Sequence, residues 1–171
     1  MTRGNLVLED VIMEKILTIK EISEFKLNEV NNAEYTGYFI ETDKTEIFLL
    51  VEDGTHCCEN FGFMTTENDI NEFIGEEIQS EFKITALRGD EEYDTVVKAF
   101  KDFNADGYYS DVTEAIFLEF MSKDKTLQFA VYNTHNGYYG HDIRILIKDK
   151  TSDIDEWQSI SNIDIVENLL N

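Results

Sequence analysis

The sequence predicts an α+β fold, built on a small antiparallel β-sheet core with a few short helices. Apolar residues alternate with polar ones in several short runs, and polar links separate those runs, which is typical of antiparallel strands. In two other segments the apolar residues recur every three or four positions, which predicts helices. These segments are an acidic insertion at about 89–112 and a C-terminal extension at 151–171, so we expect a single domain over 1–150 with an appendage.

The clearest strands lie in the first third of the chain. KILTIKEISEF, residues 15–25, alternates and predicts a strand. Two runs rich in aromatic and branched residues, 35–41 and 46–51, flank the polar link Thr-Asp-Lys-Thr and predict a hairpin. A short helical turn is expected after Asp69 and Asn71, ending at Gly75.

Four further strands are predicted over IQSEFKITAL, EAIFLEFM, TLQFAVYN and YYGHDIRILI. A helix is predicted over DEEYDTVVKAFKDF, because its acids fall in the first turn, where the helix dipole favours them. In the tail, Ser152 or Asp153 would cap a helix whose apolar residues recur in steps of three from Ile154.

The charge balance is strongly acidic: 14 basic residues against 36 acidic ones give a net charge of −22 over 171 residues. Such a chain is a poor ligand for DNA, RNA or anionic membranes, which need Lys and Arg. Two interpretations of the acidity stay open: a well-solvated surface, or a surface that imitates nucleic acid. No segment resembles a signal peptide or an apolar membrane span, so we expect the cytoplasm of a host cell.

The two cysteines are adjacent, at Cys57 and Cys58. Neighbouring strand residues point to opposite faces, so the pair is badly placed to chelate one metal ion. Three interpretations remain: a buried corner, a metal ligand, or a reactive thiol beside His56.

The segments HCCENFG, INEFIGEEI and NTHNGYYG resemble a small uncharacterised family from phages, plasmids and their bacterial hosts. The resemblance covers roughly residues 14–148, although His56 stands where the family usually has Asp, and Asp53 where it often has His. It implies a small antiparallel sheet and a mobile-element setting, and it brings no activity with it. The matching positions are Cys57, Cys58, Glu59, Ile74, Gly75, Asn136, Gly137, Tyr138 and Tyr139.

One other motif has metal-ligand spacing. Asp102, Asn104 and Asp106 precede a glycine as in the first half of a calcium loop, but Thr113 stands where the bidentate acid belongs, so a plain polar turn is the alternative. The three histidines, His56, His135 and His141, lie near the two corner segments and are candidate metal ligands or plain corner residues. We find no constellation typical of an enzyme.

The leading hypothesis is therefore a non-enzymatic mobile-element protein that binds and inhibits a host nucleic-acid-handling defence protein, such as a CRISPR effector or a restriction enzyme. Acidic patches would occupy the partner's basic nucleic-acid channel. The patches are Glu76, Glu77 and Glu81; Asp90, Glu91, Glu92 and Asp94; and Asp153, Asp155 and Glu156.

The alternative hypothesis is a small-molecule or nucleotide binder with a pocket between the two corner segments. Its lining would be Cys57, Cys58, Glu59, His135, Tyr138 and Tyr139. Convergence of the scarce cations Arg88 and Arg144 on one cavity would favour this hypothesis. No cofactor other than calcium is expected.

Overall fold

A computed structural model describes residues 12–27, 33–54, 59–65, 69–88, 112–135 and 140–161. These residues form two antiparallel β-sheets that share one core. The only helical element among them is a 3₁₀ turn, Ile70–Phe73. The predicted α+β class is therefore wrong, because the part of the chain that the structure describes is mostly β.

The first sheet has six strands in the order β10-β9-β3-β2-β1-β5. The long strand β1 pairs with β2 along most of its length, and its first residues pair with β5, so the sheet extends past the hairpin formed by β2 and β3. Strand β9 returns late in the chain to pair with β3. The strands are β1 (Met13–Lys26), β2 (Glu34–Thr42), β3 (Thr45–Glu52), β5 (Glu77–Gln79), β9 (Ile143–Asp149) and β10 (Gln158–Ser161).

The second sheet has four strands in the order β4-β8-β7-β6. Strands β7 and β8 form a hairpin, and β4 and β6 flank it on either side. An isolated bridge between Ile78 of β5 and Ser122 joins this sheet to the first one. The strands are β4 (Glu59–Thr65), β6 (Lys83–Arg88), β7 (Val112–Met121) and β8 (Thr126–His135).

The core lies between the two sheets. Alternate residues of each strand point inward, as strand geometry requires, and aliphatic side chains meet aromatic ones there. The Tyr38 ring packs on Phe129 and edge-on against Phe63, which links the two sheets. The outer face of the first sheet carries a second, smaller cluster around Tyr35, Leu50 and Leu146.

One glycine is needed for the first sheet to form. Gly37 in β2 has a φ of 150°, and a Cβ there would lie 2.0 Å from the backbone oxygen of Leu49. Only glycine allows β2 to approach β3 so closely.

Several predicted elements are confirmed. Strand β1, the β2–β3 hairpin, and strands β7 and β8 occur where the alternation predicted them, whereas β9 begins at Ile143, inside the predicted strand YYGHDIRILI. The helical turn is the 3₁₀ element, which Asp69 caps by accepting from the Asn71 amide, and Gly75 follows with a φ of 93°.

Other elements are wrong or lie outside the described residues. IQSEFKITAL forms two strands in different sheets, β5 and β6. The predicted C-terminal helix is wrong over 154–161, because Ile160 pairs with Ile145 in the core while Trp157 packs on Phe48 of the outer face. Contact with the first sheet thus overrides a spacing that also suits a helix. The predicted helix of the insertion lies outside the described residues.

One end of the first sheet is closed by the β2–β3 turn, and we call it the hairpin end. The Thr42 hydroxyl donates to the Glu14 carboxylate at 2.5 Å and accepts from the Thr45 amide at 2.7 Å. The Asp43 carboxylate accepts from the Lys15 amide at 2.8 Å, and the Lys150 ammonium donates to Glu41 at 2.8 Å. The turn is therefore tied to β1 and to the end of β9.

Candidate binding surfaces

The opposite end, which we call the corner end, is where β3 leads towards β4 and β8 leads towards β9. Glu59 at the start of β4 pairs with His135 at the end of β8, and His135 also pairs with Val112 at the start of β7. For these three residues the backbone alone is described. The Cys-Cys and Asn-Gly-Tyr-Tyr segments therefore join the second sheet at neighbouring positions.

Beside these positions, the first sheet contributes a polar cluster on its outer face. The Tyr35 hydroxyl donates to Oδ2 of Asp142 at 2.8 Å, and Nε of Arg144 donates to the same oxygen at 2.7 Å. Residues 35 and 142 are far apart in sequence, and β2 and β9 lie on either side of β3. One carboxylate thus joins strands that are not hydrogen-bonded to each other.

His141 lies next to this cluster and is almost fully buried. Its Nδ1 lies 2.5 Å from the Glu52 carbonyl oxygen, so Nδ1 carries the proton, because a carbonyl can only accept. The imidazole ring stacks on Phe61 of β4 with centroids 4.4 Å apart. His141 therefore fixes the chain entering β9 against both sheets.

The environment of Tyr35 changes its ionisation. Burial raises the pKa of Tyr35 well above its usual value, and the hydrogen bond to Asp142 raises it further. The hydroxyl thus remains a donor at neutral and moderately alkaline pH. Its role here is to hold Asp142.

The predicted small-molecule site is only partly described. Cys57, Cys58, Tyr138 and Tyr139 lie outside the described residues, so their role as lining residues stays a prediction. Arg144 lies on the outer face of the first sheet, where it binds Asp142, whereas Arg88 ends β6 of the second sheet. The backbone alone of Arg88 is described, so convergence of the two cations on one cavity stays a prediction.

The predicted metal ligands are also only partly among the described residues. Within the described ranges, no group of three or more His, Cys, Asp or Glu side chains is arranged to hold a metal ion. The candidate calcium ligands Asp102, Asn104 and Asp106 lie outside those ranges, as does His56. Within the same ranges, no helix is long and apolar enough to cross a membrane.

Two of the three predicted acidic patches are described. Glu77 and Glu81 are exposed and Glu76 is half-buried, on and around β5. Asp153, Asp155 and Glu156 are exposed in the segment that leads to β10, and Asp155 forms an ion pair with Lys148. The patch of Asp90, Glu91, Glu92 and Asp94 lies outside the described residues.

A cleft runs beside β5, and we call it the β5 groove. Its volume is about 620 Å³. Sequence reasoning found the acids on its rim but missed its apolar part, which Met13 and Met121 contribute. A smaller cleft of about 380 Å³ lies against Trp157 and Ile147, beside the acidic patch of the tail.

Sequence reasoning also missed the Tyr35–Asp142–Arg144 cluster. The one available signal was the pattern Asp-x-Arg at the start of an apolar strand, where two opposite charges fall on one face. Nothing in the sequence connects Tyr35 to that pair.

Comparison with known proteins gives one match. No curated protein and no solved structure matches the chain. The model of a domain of unknown function, DUF7448, matches residues 9–145. This range includes strands β1 to β8 and the start of β9. The chain therefore belongs to the DUF7448 family, an uncharacterised family as the sequence predicted.

Proposed function

We propose that this protein is a non-enzymatic inhibitor carried by a mobile element. It binds a host protein that handles nucleic acid in defence, such as a CRISPR effector or a restriction enzyme. Its acidic surface occupies the partner's basic nucleic-acid channel. The resemblance to phage and plasmid chains supports the mobile-element setting.

The observation that carries the proposal is the excess of unneutralised acid. The net charge is −22, and five basic side chains in the described ranges form ion pairs with carboxylates. Examples are Lys26 with Glu34, Lys83 with Glu119, and Lys150 with Glu41. The charge left for a partner is therefore predominantly negative.

Electrostatics gives this surface a definite mode of action. A basic channel that binds DNA gains free energy by releasing the counterions condensed on phosphates. Carboxylates that enter the channel replace the phosphates, and the long-range field speeds the encounter. Binding of the inhibitor and binding of DNA then exclude each other, and both weaken as salt rises.

The test is a competition experiment. The protein is immobilised, host proteins are captured at low salt, and the column is developed with duplex DNA and then with high salt. We expect a nucleic-acid enzyme to elute with DNA, and its activity to fall when free inhibitor is added back. Capture that neither DNA nor salt reverses would contradict the proposal.

Two matched triple variants each remove three charges from one patch. They are Asp153→Asn/Asp155→Asn/Glu156→Gln and Glu76→Gln/Glu77→Gln/Glu81→Gln. Weaker capture by either variant identifies the patch that enters the channel. Unchanged inhibition by both variants, and by their combination, would count against these two patches.

The second candidate is a small-molecule binder at the corner end, favoured by the pairing of Glu59 with His135. That pairing places the two corner segments at adjacent points of the second sheet. Native mass spectrometry of the purified chain tests it. A bound mass that disappears in Tyr138→Ala and persists in Tyr108→Ala would support this function, and a bare chain would contradict it.

A further inference from the structure

The β5 groove combines features that a purely electrostatic decoy does not need. Met121, which lines the groove, is 50% exposed, while Ile12 and Ile74, next in the chain to the lining residues Met13 and Gly75, are 63% and 45% exposed. Scattered exposed apolar residues need no explanation, but a group of them at one place marks an interaction surface.

Backbone hydrogen bonds show that these residues lie together. The Ser80 amide donates to the Ile12 carbonyl, and the Gly75 amide donates to the Ile16 carbonyl, which places Ile74 beside β1. Met121 precedes Ser122, which bridges to Ile78 in β5. All three side chains therefore start from positions next to β5.

The groove also has a charge. Its lining includes the acids Glu76, Glu77 and Asp124 and one cation, Lys123. Two further lysines lie close by: Lys15, whose Cε is 3.9 Å from where a Cβ on Gly75 would be, and Lys44, whose ammonium donates to the Met13 carbonyl. The lining itself holds three acids and one lysine and is acidic, in a molecule whose overall charge is −22.

We infer that the β5 groove binds a cationic segment of a protein partner that carries apolar side chains between its Lys or Arg residues. The apolar side chains would pack on Met13 and Met121, whose flexible thioether side chains adapt to varied shapes. The cations would face Glu76, Glu77 and Asp124. A second copy of this chain is a poor occupant, because two acidic surfaces repel each other.

This inference rests on the proposed function and makes it more specific. It says that one of the acidic patches is amphipathic, so part of the binding survives high salt. Charge alone would be screened over about a Debye length, whereas apolar contact would not.

Methionine-methyl NMR of the full chain tests the inference. The chain has four methionines, of which Met13 and Met121 line the groove and Met64 lies on β4 as an internal control. The probes are two synthetic peptides of equal length and charge, one alternating lysine with leucine and the other lysine with serine.

We expect the leucine peptide to shift the Met13 and Met121 methyl signals and to leave Met64 unchanged. The serine peptide should bind at least about tenfold more weakly at physiological salt, because it lacks the apolar contacts. Glu76→Gln/Glu77→Gln should weaken the leucine peptide roughly tenfold. Asp153→Asn/Glu156→Gln, which removes the same charge from the tail, should change its affinity less than about twofold.

Equal binding of both peptides, or shifts that spare Met13 and Met121, would overturn the inference. So would a Met121 signal that moves with protein concentration alone, since a second copy would then occupy the groove. DNA-reversible capture of a partner without any groove response would leave the proposed function intact and remove only this inference. Groove binding by the peptide without such capture would remove the proposed function instead.

Discussion

The hairpin end and the corner end of the first sheet are both held in place by hydrogen bonds from side chains, but the partners differ. At the hairpin end, Thr42 and Asp43 satisfy the turn with bonds to residues in the turn itself and to β1. At the corner end, Asp142 is held by Tyr35, which lies 107 residues away in the chain. The first arrangement closes a turn with bonds inside it and adds bonds to β1 and to Lys150. The second is long-range and fixes the point where connections between the two sheets begin.

This difference indicates which end of the sheet can carry segments of differing sequence. The Lys44 and Thr45 amides donate to Thr42, so the turn is closed by its own residues before β1 and Lys150 add to it. The corner end instead supports segments that leave the sheets at neighbouring positions, and loops on a rigid scaffold often carry binding residues.

The largest expected loss of stability comes from a substitution that disturbs both ends at once. Gly37→Ala places a Cβ against the Leu49 carbonyl and requires a φ that alanine avoids. We expect a loss of about 3 kcal/mol of unfolding free energy, or failure to fold, because β2 connects the two ends. Urea unfolding measures it. Gly62→Ala is the control, since its Cβ would meet the movable Tyr132 side chain, and an equal loss there would contradict the backbone explanation.

Thr42→Val tests the hairpin end. Thr42 is 1% exposed and Glu14 is 7% exposed, so losing the hydroxyl leaves a buried carboxylate and two turn amides without their partner. We expect a loss of about 2 kcal/mol, and a smaller loss in Thr42→Ser, which keeps the hydroxyl. Equal losses in the two variants would show that the methyl group, not the hydrogen bonds, stabilises the turn.

Asp142→Asn tests the corner end. The amide oxygen still accepts from Tyr35, but Arg144 loses its charged partner. Both partners are partly exposed, so we expect only about 1 kcal/mol. Amide hydrogen exchange locates the loss. Faster exchange confined to the start of β9, the end of β3 and the start of β2 fits the long-range cluster, whereas uniform acceleration does not.

The smallest effect is a difference in pH dependence between the ends. A hydrogen bond from Lys150 lowers the pKa of Glu41, so its contribution is present above the unfolded pKa of about 4 and is lost as pH falls through the lower folded value. Tyr35 behaves oppositely, because its folded pKa is raised. Its contribution is present below the unfolded pKa of about 10 and is lost as pH rises.

Urea unfolding across pH separates the two contributions. Glu41→Gln should reduce the acid slope of the stability curve without abolishing it, since hydrogen bonds from Thr151 also lower the pKa of Asp149, and should leave the alkaline limb unchanged. Tyr35→Phe should reduce the alkaline slope without abolishing it, since burial also raises the pKa values of Tyr38 and Tyr132. A change of the alkaline limb by Glu41→Gln and of the acid limb by Tyr35→Phe would contradict the roles given to these two residues.

Local sequence patterns predict only part of this fold. Alternation and turn residues are local, so β1, the hairpin and the capped turn at Gly75 were predicted. Sheet membership is not local. The segment IQSEFKITAL alternates like one continuous strand. Its first part, β5, pairs with β1 of the first sheet, and its second part, β6, pairs with β7 of the second sheet.

The tail was misread for a related reason. A spacing of three fits a helix, but it also places Trp157 on the outer face and Ile160 in the core of a strand. Of the candidate sites, the exposed acids were predicted from composition, whereas the β5 groove and the Asp142 cluster needed the topology. The partner-binding role of the acids stays a prediction.

The pairing of β3 with β9 also has a consequence for synthesis on the ribosome. Val51 pairs with Ile143, which follows it by 143 − 51 = 92 residues. At about 5 to 20 residues per second, the β3 edge waits roughly 5 to 20 s for its partner strand. During that interval the nascent hairpin presents an unpaired apolar edge, so β3 is the segment that a ribosome-associated chaperone would cover first.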